Sequence, residues 1–304
     1  MKVLRSKFLN CILSYVRNRD ELRPLLLISP SALWIILFLF IPLIIIGIYS
    51  FSSRGEGGSI VFSFSLQNYK HFWTTPIYTR TIVKSVIIGI EVTLVCLIMG
   101  YFPAYYLGRL KGVRRVLLIV LLIVPFWTSI IIRTYSWVLI LGNQGPINYF
   151  LLKWGLIHEP IQFLYREFAV ILGLVHIMLP FMILPIFTSI DRIDQALLDA
   201  SKSLGAGNVR TFFEVTVPLS LPGISAGCLL VFIISVGAFL TPAILGGPKD
   251  MMIAMLIQQN FLMLFDWPFG SAAAIIYLVT IIFVVFIFNK VIGLNKIWMG
   301  SNGK

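Results

Sequence analysis

The chain has 304 residues, of which 12% are charged and 59% are hydrophobic. An average soluble protein carries about 25% charged and about 45–50% apolar residues. A soluble protein of this composition would have too few polar side chains to cover its surface, which argues against an ordinary soluble enzyme. The formal net charge of +12 would suggest nucleic-acid binding in a soluble protein. In so apolar a chain we expect the basic residues to set membrane topology instead, and we predict no nucleic-acid partner.

Six apolar segments are long enough to cross a lipid bilayer. About 30 Å of hydrocarbon, at 1.5 Å per residue, requires roughly 20 residues of helix. No alternation of apolar and polar residues indicates strands, so the predicted fold is all-α. The predicted spans cover residues 25–51, 81–107, 116–141, 168–190, 219–245 and 271–289. A basic segment precedes the first span as in a secretory signal, but its length favours a retained span.

Two further apolar stretches are poor candidates for spans. Charged residues and a proline interrupt residues 147–165, and residues 251–265 would reach only about 22 Å as a helix. We predict that both form helices at the membrane interface or folded back into the protein.

The distribution of Lys and Arg predicts the orientation of the spans. Sixteen of the 24 basic residues lie in the N-terminal segment 1–24, in the loops after the second and fourth spans, and at the C-terminal end. Six lie in the remaining loops, and Lys84 and Arg133 lie inside spans. We therefore predict that both termini, including the tail 291–304, are cytoplasmic.

The N-terminal segment also has a helical apolar face. The residues on this face are Phe8, Leu9, Ile12, Leu13 and Val16. The pattern suits either a basic amphipathic helix on anionic membrane lipid or a basic tail that only sets topology.

Motifs for catalysis, nucleotide binding and metal binding are absent from the sequence. Cys11, Cys96 and Cys228 lie far apart, with no CxxC pair and no histidine at metal-ligand spacing, so we predict neither a disulfide framework nor a metal site. The chain has no GxxxxGK[ST], GxSxG or HExxH motif. We predict that it is not an enzyme and that it holds no cofactor. We expect His176, within the fourth span, to donate a hydrogen bond in helix packing.

The loop between residues 191 and 218 predicts a helix, a sharp turn and a second helix. In the first helix one apolar stripe is formed by Ile193, Leu197, Ala200 and Leu204. Glycines at 205 and 207 stop that helix, because glycine accepts the left-handed conformation. A second helix begins near Asn208, and Arg210 can pair with Glu214 at i, i+4. We expect Val209, Phe212, Phe213 and Thr216 to share one face, and Pro218, Pro222 and Gly223 to return the chain to the fifth span.

This loop resembles the signature of the membrane permeases of binding-protein-dependent ABC importers. That signature is Glu-Ala-Ala, a glycine a few residues on, nine residues, isoleucine, any residue, leucine and proline, in a cytoplasmic loop before the penultimate span. With mild replacements it falls here on Asp199, Ala200, Ser201, Gly205, Val215, Val217 and Pro218. The resemblance implies the six-span MetI-like permease architecture over residues 25–290. It also implies that these seven residues couple the chain to an ATPase.

Other segments narrow the resemblance. Residues 125–137, 173–190, 222–232 and 266–273 look like the first permease subunit of spermidine/putrescine importers. The resemblance implies a second permease subunit, an ATPase dimer that binds ATP and Mg, and an extracytoplasmic solute-binding protein. It further implies the inner membrane of a bacterial cell. Two alternatives remain: an ABC permease for another small solute, and a secondary transporter or channel that works without ATP.

A path for a cationic solute would need carboxylates and aromatic rings. Glu91 is the only acidic residue within a predicted span, and charged residues inside spans are often functional. Asp266 and Trp267, at the end of the sixth span, combine a carboxylate with a ring face. Trp127 and Tyr135 could also line the path.

Each path candidate has a structural alternative. Lys84 or Arg133 could neutralise Glu91. Asp266 could cap a helix beside an interfacial Trp267. Aromatic residues near span ends, such as Trp127 and Tyr135, commonly anchor the protein at the membrane interface.

Overall fold

The computed structural model describes the backbone of residues 19–292 and the side chains of residues 29–290. The predicted amphipathic face of residues 8–16 lies outside this range. The described helices, in chain order, are α1 (Arg19–Ser50), α2 (Gln67–Thr74), α3 (Pro76–Arg109), α4 (Val113–Ile123), α5 (Ile130–Leu141), α6 (Pro146–Lys153), α7 (Glu167–Asp191), α8 (Gln195–Ser203), α9 (Asn208–Thr211), α10 (Val217–Val236), α11 (Leu240–Leu245), α12 (Ile253–Leu262) and α13 (Trp267–Ile292). In the described part the strands are limited to a two-residue antiparallel ladder, in which β1 (Ser53–Arg54) pairs with β2 (Ile60–Val61).

The described chain contains five helical segments that are long and apolar enough to cross a membrane. They are Ser29–Ser50 of α1, all of α3, all of α7, Asn208–Val236, and Trp267–Lys290 of α13. A sixth span is present if the bent pair Val113–Trp127 and Ile130–Lys153 is counted as one. The predicted all-α polytopic membrane fold is confirmed.

The third predicted span, 116–141, is not one straight helix. Its two parts meet at an angle of 90°. Pro125 lies in a 3₁₀ turn over Val124–Trp127, and the Ser129 hydroxyl accepts a hydrogen bond from the Ile131 N–H at 3.3 Å. The proline lacks an N–H to continue the helix, and the serine caps a new one, so the chain changes direction between them.

The fifth predicted span, 219–245, is also interrupted. Helix α10 ends at Val236, Gly237 follows, and α11 begins only at Leu240. The Ala238 N–H donates to the Ser235 carbonyl at 3.1 Å, which closes a turn at this point. The apolar run therefore contains a break that its hydropathy does not reveal.

Helices α3, α7 and α10 form the centre of the described bundle. Buried residues of all three belong to one apolar core, including Val92, Met182 and Val231. Gly223 of α10 lies so close to α7 that a Cβ atom would overlap the Pro185 carbonyl oxygen. Small residues permit this close approach of helices in a membrane, where van der Waals packing drives helix association.

Helix α1 lies outside this centre and packs against α13. Its apolar side chains, such as Trp34 and Phe38, are largely exposed. None of the residues in its most apolar window is buried by the described part of the chain.

The two ends of the bundle differ in their loops. The basic end carries loops 110–112 and 192–207, and the opposite end carries loops 51–66, 142–166 and 246–266. At the basic end Arg115 forms a bidentate pair with Asp191, with both N–O distances 2.7 Å.

The two apolar stretches that were predicted not to span the membrane form short helices at the opposite end. Helix α12 is folded back against α3, because the Ile253 N–H donates to the buried Ser85 hydroxyl at 2.7 Å. The stretch that includes α6 closes on itself, since the buried Asn148 side chain exchanges two hydrogen bonds of 2.9 Å with the Ile161 backbone.

Candidate coupling surface and membrane path

The segment 191–216 forms the predicted helix and sharp turn at the basic end. The Asp194 carboxylate caps α8 by accepting from the Ala196 N–H at 3.0 Å. After α8 the chain turns at Gly205, whose φ of +85° is strained for any residue with a Cβ atom. Among the described residues, no neighbour would lie within 4 Å of a Cβ atom at Gly205. The outer side of the turn is therefore open.

The apolar residues of this segment are mostly exposed. Leu198 is buried, whereas Leu197 and Leu204 of the predicted stripe are exposed. We define the loop patch as the exposed apolar residues Leu197 (50% exposed), Leu204 (89%), Val209 (72%) and Phe213 (64%). Large exposed apolar side chains beside a glycine turn are typical of a protein interface.

The second half of the segment runs without a break into the membrane. Residues Phe212–Thr216 form a π-helical turn, in which the Val217 N–H donates to the Phe212 carbonyl, and α10 follows directly. Pro218 therefore lies in the first turn of α10 and does not mark a separate return of the chain. In a regular α-helix the Pro218 ring would crowd the Glu214 carbonyl, and the wider turn relieves this contact.

The predicted common face of the second helix is divided. Thr211 and Thr216 are buried and Phe212 is partly buried, whereas Val209 and Phe213 are exposed. The predicted Arg210–Glu214 pair is confirmed at 2.9 Å. Among the proposed coupling residues, Asp199, Ala200, Gly205 and Pro218 are exposed, and Ser201, Val215 and Val217 are half-buried.

Glu91 lies within α3 and has a side-chain oxygen without a partner. Its Oε2 atom is buried and makes no hydrogen bond, and Glu91 forms no ion pair with any described residue. Lys84 makes its ion pairs with other carboxylates, because its Nζ lies 2.6 Å from Glu167 Oε1 and 3.8 Å from Asp250 Oδ1. The Nε atom of Arg133 is likewise buried without a hydrogen bond among the described residues.

The ion cluster around Lys84 was not predicted from the sequence. Glu167 begins α7, and the buried Asp250 lies in the 3₁₀ turn Pro248–Asp250. The three residues are distant in the chain, so only the fold brings them together. Glu167 and Lys84 are also close enough for their charges to act on Glu91. Three carboxylates and one ammonium therefore share this part of the protein.

Asp266 and Trp267 make the contacts of a helix cap. The Phe269 N–H donates to Asp266 Oδ1 at 3.1 Å, and Arg54 Nη1 lies 3.5 Å from Asp266 Oδ2. The Trp267 ring packs edge-on against Phe261. The carboxylate thus has two partners already, and binding of a substrate ammonium by this pair stays a prediction.

The remaining aromatic candidates lie on the bent third span. Trp127 is 82% exposed and ends the 3₁₀ turn, and Tyr135 is exposed on α5. Trp137, on the same helix, donates from Nε1 to His176 Nδ1 at 3.1 Å. His176 therefore accepts at this nitrogen, where the sequence analysis expected it to donate.

Comparison with known proteins identifies the family. Residues 94–294 match the family described as "Binding-protein-dependent transport system inner membrane component". The chain belongs to this family. The family description names an inner membrane component, and the five or six apolar helices of the described chain agree with that location.

Several relatives are similar over most of the chain. The spermidine/putrescine transport system permease protein PotB of Escherichia coli is 42% identical over 243 residues, which cover 80% of this chain and 88% of that protein. PotB of Haemophilus influenzae is 37% identical over 262 residues, which cover 85% and 91%. The inner membrane ABC transporter permease protein YdcU of Escherichia coli is 30% identical over 193 residues, which cover 59% and 61%.

Solved structures agree on the fold. A chain in the crystal structure of a bacterial ABC transporter for the acidic polysaccharide alginate superposes with a TM-score of 0.71. The alignment covers 92% of this chain and 98% of the other, at 18% sequence identity. At this identity the likeness establishes the shared ABC permease architecture, and it carries no information about the solute.

Proposed function

We propose that this chain is a permease subunit of an ATP-driven importer and that it forms part of the path for a polyamine such as spermidine or putrescine. The substrate class is supported by the PotB relatives, which are spermidine/putrescine permeases and align over most of the chain. The non-catalytic role is supported by the same relatives, which are transport permeases.

The basic end faces the cytoplasm in this proposal, with both termini on that side, as the excess of Lys and Arg favours. An ATPase dimer, which binds ATP and Mg, docks on the loop patch and on the signature residues beside it. A second permease completes the translocation path. A solute-binding protein delivers the substrate at the opposite end, and a related ABC transporter has been crystallised with a periplasmic protein of this kind.

The loop patch is the observation that carries the proposal. Two leucines, a valine and a phenylalanine are exposed around an open glycine turn, and the ABC permease signature runs through the same segment. A secondary transporter would have no need for an exposed apolar docking surface around the glycine turn between α8 and α9. An ATPase that drives transport must bind such a loop to move the helices.

Glu91 is the strongest candidate for direct contact with the substrate. Its buried Oε2 atom has no partner in the described chain, and a carboxylate in this state gains from a bound ammonium group. Lys84 is engaged by Glu167 and Asp250, so it leaves Glu91 available.

Reconstitution of the complete transporter tests the proposal. The chain, its second permease, the ATPase and the binding protein are assembled in liposomes, and uptake of radiolabelled spermidine, putrescine, an amino acid and a sugar is compared. We expect polyamine uptake that requires both ATP and the binding protein. Uptake by the purified chain alone, driven by an ion gradient, would contradict the ATP-driven mechanism. ATP-dependent uptake of a different solute would contradict the polyamine assignment alone.

A further inference from the structure

Phe212 makes an aromatic contact between the loop segment and the membrane helix α3. It is the first residue of the π-helical turn that joins α9 to α10. Its ring packs edge-on against two tyrosines of α3, with ring centroids 5.5 Å from Tyr101 and 5.2 Å from Tyr105. The interplanar angles are 89° and 83°. Such edge-to-face pairs are directional, so a shift of one ring favours a shift of the others.

The two tyrosines lie on either side of a proline in α3. They are four residues apart, hence one helical turn apart on the same face, and Pro103 lies midway between them. Proline cannot donate a backbone hydrogen bond, and its ring crowds the carbonyl of Met99 one turn earlier. Kinks and bends in helices concentrate at such positions. The Phe212 ring therefore bridges the two turns that a bend at Pro103 would separate.

A hydrogen bond ties the same region to α10. The Tyr101 and Ser220 hydroxyls lie 3.0 Å apart, and both side chains are buried. Ser220 in turn donates to the Val217 carbonyl at 2.9 Å. The Tyr101 ring thus contacts Phe212 of the π-helical turn, and the Tyr101 hydroxyl contacts Ser220 of α10.

The loop side of this contact reaches the signature. Thr211, next to Phe212, is buried, and its hydroxyl lies 3.1 Å from the hydroxyl of Ser201 in α8. On the other side, α3 continues from Tyr101 to Glu91, ten residues or about 15 Å away along the helix. A continuous chain of contacts therefore joins α8 to the helix that carries the proposed substrate carboxylate.

We propose that Phe212 transmits the displacement of the loop segment 191–216 to α3, by bending or straightening α3 at Pro103. Phe212 is a positioning residue, because it acts on the substrate path through Tyr101 and Tyr105. This inference rests on the proposed function, since the displacement originates in an ATPase docked on the loop patch.

The test compares Phe212→Leu with Phe286→Leu in the complete reconstituted transporter. Phe286 is an exposed aromatic residue of α13, far along the chain from the loop, and provides the matched control. Three quantities are measured: co-purification of the ATPase, ATP hydrolysis, and spermidine taken up per ATP hydrolysed. For Phe212→Leu we expect co-purification within about twofold of the parent and at least a tenfold fall in uptake per ATP. We expect Phe286→Leu to match the parent in all three.

Tyr105→Leu and Phe212→Tyr separate transmission from a structural role. Tyr105 approaches the contact from α3, away from the loop patch, so its replacement should lower uptake per ATP in the same way. Uptake per ATP in the double variant Phe212→Leu/Tyr105→Leu should be no lower than in either single variant. Phe212→Tyr retains the aromatic ring, so its uptake per ATP should be close to that of the parent. The inference would be overturned if assembled Phe212→Leu or Tyr105→Leu complexes took up spermidine normally per ATP hydrolysed. It would also be overturned if the losses of the two single variants were additive in the double variant. Failure of the parent protein to bind the ATPase would instead overturn the proposed function.

Discussion

At the level of single residues, the state of Glu91 is the most informative feature of the membrane region. The Oε2 atom of Glu91 is buried without a hydrogen bond, which destabilises the fold. Proteins keep such an unpaired group mainly where it serves a function. The sequence identified Glu91 because an acidic residue stands out in an apolar span. It did not identify Glu167 and Asp250 as the partners of Lys84, because both lie in polar segments between predicted spans, where carboxylates are common.

Replacing Glu91 by glutamine tests its role. The substitution preserves shape but removes the charge, and a charge-assisted hydrogen bond contributes about 1.5–3 kcal/mol. We expect the spermidine concentration for half-maximal uptake to rise about 10- to 100-fold in reconstituted vesicles. The thermal stability should not fall, because no described partner of Glu91 is lost.

Glu56→Gln is the matched control for this experiment. Glu56 lies exposed in the turn between β1 and β2, and its neutralisation should leave uptake unchanged. Unaltered spermidine uptake by the Glu91→Gln transporter would remove Glu91 from the substrate path.

At the level of elements, the glycine turn between α8 and α9 has the geometry of an exposed docking loop. The turn requires a residue that tolerates positive φ, and Gly205 supplies it. Because no residue in the described part of the chain would meet a Cβ atom there, a bulky side chain at Gly205 would project into the space that we propose the ATPase occupies.

Substitution of Gly205 by phenylalanine is predicted to reduce co-purification of the ATPase at least tenfold. The fair comparison is Gly112→Phe, because Gly112 also has positive φ (+69°) and open space around it and lies in the other loop of the basic end. Gly112 combines its positive φ with a ψ of −155°, a region that is essentially restricted to glycine, where a side chain costs about 1–3 kcal/mol. Strain alone would therefore not spare Gly112→Phe. If pull-down yields fall equally in both, or in neither, the loop patch is not the docking surface.

Hydropathy predicts where helices cross the membrane, but not where they break. The apolar character of residues 116–141 and 219–245 continues through Ser129 and Gly237, since neither residue lowers the average much. The breaks arise from local hydrogen bonds, a serine cap in one case and a backbone turn in the other. The loop segment was predicted better, because its glycines and charges give strong local signals. The division of its second helix was missed, because a π-helical turn shifts the helical period.

At the level of the whole molecule, the two ends of the bundle serve different contacts in our proposal. The basic end presents Arg115 paired with Asp191 beside the loop patch, and the opposite end presents the short helices α6 and α12. The orientation of the ends in the membrane decides which of them an ATPase can reach.

Cysteine labelling tests that orientation. Lys111 and Glu159 are exposed, one in a loop of each end, and Cys96 and Cys228 are buried, so a variant with Cys11→Ser has low background. A membrane-impermeant maleimide added to spheroplasts should label Glu159→Cys, whereas Lys111→Cys should react only after lysis. The reverse pattern would place the loop patch outside the cell and exclude a cytoplasmic ATPase as its partner.

The peripheral position of α1 has a consequence for biosynthesis. Its packing partner, α13, is the last of the described helices to leave the ribosome. Throughout synthesis of the intervening chain, α1 therefore remains in the bilayer without α13, and among the described contacts its end is held by α2, through Asn68 and Tyr69 at Ser50. Helix α1 is suited to this, because a helix satisfies its own backbone hydrogen bonds and residues 29–50 include no charged residue. Contact between the first and last helices is then a late step of assembly, after the helices of the centre have been made.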